Sequence, residues 1–141
     1  MDSGPLVLFL YGIVRPDLIG TGKTKSHTEN MFLRLRDTIA PAVGHVSLPN
    51  VLSEASNHLG SGKQQAVPGA AEALARYILS LSEVYKPSET VVALEEYQKV
   101  GLSDAAIILC SPMLIQDRVV VFTQDFDLYN RLCHIGVDCR N

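Results

Sequence analysis

Two spacings of apolar residues share the chain, a helical recurrence every three to four positions and short β-branched runs of four to six. The run "PLVLFLYGIV" at residues 5–14 follows Ser3 and Gly4, an N-cap with a first-turn proline, and so predicts a buried helix despite its strand-like composition. "SHTE" at Ser26 to Glu29 fits a capping box, and Met31, Leu35 and Ile39 then mark one helical face until Pro41. "HVSLP" predicts a short strand, and Asn50 is expected to cap a helix whose Leu52, Ala55 and Leu59 face the core before Gly60 ends it. Residues 61–67 are polar and predict a loop. Pro68 then opens a long helix carrying Leu74, Ile78, Leu81 and Tyr85 on one stripe, closed by Lys86 and Pro87.

The second half predicts strand more strongly. "TVVAL" predicts a short buried strand leading into "EEYQKVG", after which Ser103 caps the helix "DAAIILCS". "RVVVFT" is a continuous β-branched run of the kind that parallel sheets bury on both faces, followed by the helix "FDLYNRLCHIG" and a final strand "VDCR". Strands separated by helices imply a parallel sheet with right-handed crossovers. The expectation is therefore an α/β fold, a three-layer α/β/α sandwich with a central parallel sheet, formed as a single domain over residues 1–141.

Composition narrows the function classes. The 141 residues carry 47% hydrophobic content, enough for one packed core. A net charge of −3 argues against a protein that coats nucleic acid by bulk charge. The charge is uneven: through Lys63 there are 6 basic and 5 acidic residues, and from Gln64 onward 6 and 10, which hints at an acidic site. Cys110, Cys133 and Cys139 lack metal-site spacing and suit reduced thiols in a cytoplasmic protein. The N-terminal apolar run is too short to span a bilayer and has no basic segment before it, so a soluble chain is expected.

The stretch "RPDLIGTGKTK", Arg15 to Lys25, resembles a phosphate loop at its GKT, but the first-glycine position holds Asp17 beside Pro16. It predicts a basic connector. Arg15, Lys23 and Lys25, with Lys63, are candidates to contact a nucleic-acid backbone, and a merely solvated loop explains them equally well.

Acids carry the remaining chemistry. Asp125 follows "RVVVFT" by two residues, Asp104 opens a helix, Asp2 precedes the first apolar run, and Glu54 lies on the helix after "HVSLP". Carboxylates that converge without a basic partner raise one another's pKa and persist best around a cation. An oxygen-only set favours Mg²⁺ or Mn²⁺. Taken singly, each acid is also explained as a helix cap or a solvated charge, Asp127 included.

The ordered segments "DSGPLV", "VLSEASNHLG", "GLSDAAIILC", "VVVFTQDFDLYNRL" and "GVDCRN" together resemble the PIN-domain family of metal-dependent ribonucleases. That resemblance implies the α/β/α sandwich and an endoribonuclease that cleaves single-stranded RNA with metal-activated water. It also implies a catalytic and metal-binding set of Asp2, Glu54, Asp104 and Asp125, with Asp127 as an additional carboxylate and Mg²⁺ or Mn²⁺ as cofactor. Thr123 matches the hydroxyl that accompanies the last acid, and Asn57 matches the asparagine of "EASN"; both join the substrate-binding positions. A homodimer and an antitoxin-like inhibitory partner are further implications. The family carries a hydrophobic strand before the first aspartate, where this chain has Met1 alone, so the first strand is expected to be truncated. The alternative expectation is a catalytically weak PIN-like module that binds RNA or protein.

Overall fold

The computed structural model describes residues 1–60 and 67–141, so most of the loop expected over residues 61–67, with Lys63, lies outside the described residues. Helices dominate. They are α1 (Ser3–Val14), α2 (Glu29–Ile39), α3 (Pro49–Leu59), α4 (Ala70–Leu79), α5 (Ser88–Val92), α6 (Tyr97–Leu109), α7 (Ser111–Gln116) and α8 (Phe126–Ile135). Two-residue strands β1 (Val46–Ser47) and β2 (Ser82–Glu83) pair in parallel, as do β3 (Val121–Phe122) and β4 (Cys139–Arg140).

The fold is built around α1. Its side chains are apolar all round, and a helix with no polar face is stable only when enclosed. Pro5, Leu6, Val7, Leu8, Leu10, Tyr11 and Gly12 are all buried. α2, α3 and α4 pack against it, giving a main core that includes Leu6, Leu10, Val51, Ala55, Leu59 and Leu128. Leu8 faces a smaller cluster with Phe32, Leu35 and Ile39 of α2. The α1–α2 approach depends on Gly12, where a Cβ would lie only 2.1 Å from the Phe32 ring.

The expected α/β/α sandwich is not what forms. Among the described residues there are only two separate two-stranded parallel sheets, with no central sheet joining them. Met1, Val46, Leu48, Val84, Ile107 and Val121 line an apolar groove between the two pairs. The first strand expected in shortened form does not appear there: Asp2 is extended and donates its N–H to the Phe122 carbonyl (2.8 Å) before α1 begins at Ser3.

Local physics explains the misread strands. "TVVAL" lies largely in α5, because Pro87 presets the helix start and Glu89 complements the first turn, so position outweighs the β-branched preference. The first half of "RVVVFT" is spent on a turn and its exit. Arg118 takes a left-handed φ of 53° and Val119 donates back to Leu114, leaving only Val121 and Phe122 to pair. The expected long helix after Pro68 stops at Leu79, since Ser82 and Val84 donate to the carbonyls of His45 and Ser47 and draw the chain into β2; Tyr85 is left exposed.

Other expectations hold. α1, α2, α3 and α8 occupy segments expected to be helical, and Gly60 ends α3 with the left-handed φ of 76° that favours glycine. The caps differ in detail: Asp2 rather than Ser3 caps α1, Thr28 caps α2, and Leu48 precedes Pro49 at the start of α3. All three cysteines are free. Among the described residues no helix is long and apolar enough to cross a membrane.

Gly12→Ala is expected to destabilise the protein by ~1–3 kcal/mol, because the added methyl must push α1 and the Phe32 ring apart in a packed core. Chemical denaturation checks this.

Candidate functional site

Four acids form the candidate site, Asp104 and three others within its electrostatic reach, two of them helix caps. Asp2 is 8% exposed and caps α1, its Oδ1 accepting the Ser3 N–H (2.6 Å). Its Oδ2 accepts the hydroxyl of Thr123 (2.8 Å), which is 1% exposed. The same Thr123 oxygen accepts the backbone N–H of Asp125 (3.0 Å), and Asp125 Oδ1 accepts the Leu128 N–H (2.9 Å) as the N-cap of α8. One hydroxyl thus ties the starts of two helices together. Thr123, expected to accompany the last acid, reaches Asp2 through its side chain and Asp125 through the backbone N–H it accepts.

Glu54 and Asp104 complete the group. Gly101 breaks α6 with φ 83° and ψ 179°, so the segment bearing Ser103 and Asp104 turns onto a new course. Ser103, expected as a helix cap, instead donates its hydroxyl to Glu54 Oε1 (2.5 Å), joining that segment to α3. Asp104 is half-buried, and its carboxyl is pushed up to about 7, first by burial and then by the charges of Asp2, Asp125 and Glu54. Asp104 therefore feels the charge of each of the other three acids. The ion pairs among the described residues lie elsewhere, at Arg15–Asp17, Arg36–Asp37, Lys99–Glu95 and Arg140–Asp138, so none of the described basic side chains is ion-paired with the group.

The donor set is all oxygen and carries uncompensated negative charge, which is the chemistry a hard divalent ion takes. Among the described residues, no three acidic, histidine or cysteine groups stand in a metal-ligating arrangement. The carboxylates are gathered within electrostatic reach without closing on a common point.

The remaining candidate positions are dispersed. Asp127 is exposed in the first turn of α8 and is not among the charges that raise Asp104. Asn57 is exposed one turn beyond Glu54, in a groove with Leu52, Leu74, Ile78 and Glu83. Arg15 is engaged with Asp17 (2.6 Å). Lys23 and Lys25 are exposed on the following connector, where GKT forms a single 3₁₀ turn and the buried Thr24 hydroxyl is taken up by the Leu18 and Thr21 carbonyls. No helix begins at that lysine, as a phosphate loop would require; α2 starts only at Glu29.

Two residues at this rim carried no signal of their own. His27, 7% exposed, meets Gln124 through Nε2 and Oε1 (2.7 Å), pinning the end of the basic connector beside Asp125. Its Nδ1 is buried without a partner. Gln124 sits in the "TQD" stretch that the acids marked, but an isolated histidine 97 residues away in sequence offers no pattern to find.

Comparison of the chain with protein families, curated proteins and solved structures found no match.

The raised pKa of Asp104 sets the pH dependence of stability. The folded state binds the proton more tightly than the unfolded chain, whose aspartate titrates near 3.8, so stability falls as pH rises from about 4 through about 7. Asp104→Asn is expected to flatten that decline and to leave the protein at least as stable as the parent at pH 8 without added metal. Denaturation midpoints of both proteins from pH 5 to 8 provide the check, and parallel declines would refute the assignment to Asp104.

Proposed function

We propose that the protein is a metal-dependent endoribonuclease acting on single-stranded RNA, with Asp2, Glu54, Asp104 and Asp125 as its catalytic acids. The observation that carries this reading is the convergence of those four carboxylates, from α3, α6 and the caps of α1 and α8, with none of the described basic side chains ion-paired with them. The ordered PIN-like motifs support the same assignment, without the sandwich fold that accompanies them in that family.

The four acids would hold Mg²⁺ or Mn²⁺, which supplies activation of water and stabilisation of charge on the phosphoryl group. The chain's own residues provide position. Thr123 fixes the orientation of Asp2 and the backbone of Asp125, and Ser103 orients Glu54. Asp104 holds the extra proton of the crowded group and releases it when the negative charge around it is compensated. Lys23 and Lys25, on the connector that His27 secures at Gln124, would attract the phosphate backbone toward the acids.

Purified protein is expected to cut single-stranded RNA with Mg²⁺ or Mn²⁺, to lose this activity in EDTA, and to lose at least a hundredfold of it, as an order of magnitude, in Asp104→Asn or Asp125→Asn. Mn²⁺ at ten times its dissociation constant is expected to raise wild-type stability by ~1.4 kcal/mol and that of Asp104→Asn much less. RNA cleavage assays and thermal melts check both. Cleavage that survives both substitutions would overturn the mechanism.

A further inference from the structure

α8 carries a second feature at the site. Phe126, the residue after Asp125, is 68% exposed in the first turn of the helix, whereas Phe32 is buried and Phe9 and Phe122 pack partly against the core. Leaving a phenylalanine in water forgoes roughly 1.5–3 kcal/mol of burial. Other large apolar side chains are exposed, among them Leu79, Tyr85 and Ile115, but of those in the described residues only Phe126 is adjacent in sequence to one of the four acids.

Its ring is also ordered by a neighbour. Tyr129, one turn along α8, lies with its ring centroid 6.4 Å from that of Phe126 and its plane inclined by only 18°, the (i, i+3) placement that lets side chains meet on a helix. Leu128 and Leu132 are fully buried on the other side of α8, so the two rings stand on a helix anchored in the core. A flat apolar surface held in one orientation is what a nucleobase stacks upon, and every base has a π-face to offer.

We propose that Phe126, supported by Tyr129, is a stacking platform for one unpaired nucleobase of the RNA strand, a subsite that holds the adjoining phosphodiester at the carboxylates. The inference rests on the ribonuclease reading of the same site. Phe126 directly follows Asp125, their Cα atoms about 3.8 Å apart, so a base stacked on Phe126 is held next to the residue that carries one of the four acids. Stacking requires a base free of its duplex partner, so single strands are bound in preference to duplexes.

The chain contains no tryptophan, so Phe126→Trp introduces a unique fluorophore at the platform. Its emission is expected to be quenched by a short oligoadenylate and not by an abasic ribose-phosphate oligomer of equal length, measured in EDTA so that no cleavage intervenes. Phe126→Ala is expected to weaken binding of the oligoadenylate roughly 5- to 150-fold. In cleavage assays it should raise KM in the same range with kcat little changed; Phe126→Tyr and Phe126→Trp should retain wild-type KM, and Phe126→Leu should not. Equal affinity for the base-bearing and abasic oligomers, or an unquenched indole, would overturn the platform even if metal-dependent cleavage is observed. Base-dependent quenching without any cleavage would instead preserve the platform and remove the ribonuclease reading.

Discussion

The hydrogen bond from Thr123 to Asp2 is the constraint on which the arrangement turns. α1 is apolar on every face and must lie inside the protein, yet its first N–H groups have no partner within the helix. Asp2 answers that need at the one place where its own N–H can be satisfied by Phe122 and its second oxygen by Thr123. The cap of the central helix is thereby fixed to β3. Because Thr123 also accepts from the backbone of Asp125, the start of α8 is set by the same hydroxyl. One hydroxyl thus bears both on the cap of the central helix and on the placement of two of the acids.

That dual use explains how negative charge accumulates without unfolding the protein. Asp2 and Asp125 each accept a backbone N–H at a helix start, where the helix dipole favours an anion. Glu54 receives the hydroxyl of Ser103. Asp104 lies half-buried amid those three charges, and the cost of the group's crowding appears there, as a carboxyl that keeps its proton to about pH 7. Desolvation is the largest cause, so substituting any single neighbour would relieve only part of it.

What the sequence made legible follows the range of the forces involved. The helical pattern of α2, α3 and α8 is local; the expected stripe of α3 is buried, whereas in α2 Leu35 and Ile39 are buried together with Phe32 and the expected Met31 is exposed. Thr123, Asp2 and Asp125 could be grouped by motif order before any contact was known. The β-branched runs misled because strand formation is decided by partners: "TVVAL" had a proline-initiated helix open to it, and "RVVVFT" loses its first half to the turn at Arg118. The tether of His27 to Gln124 and the redirection of Ser103 to Glu54 join residues far apart in sequence, and neither residue type announces such a contact.

The failure of the expected sheet bears directly on the site. In a parallel α/β sandwich, acids gather because the carboxyl ends of adjacent strands bring their loops together. Here, among the described residues, the strand adjoining the group is β3, which contributes through the following Thr123 and Asp125. Asp2 arrives as the cap of a buried helix, Glu54 from within α3, and Asp104 from a segment that a glycine break redirects. Convergence is therefore produced by helix packing around α1. A change in how α3 or α6 sits on that helix would move Glu54 or Asp104 as a unit, while the Asp2–Thr123–Asp125 linkage, held by hydrogen bonds of its own, would stay in place.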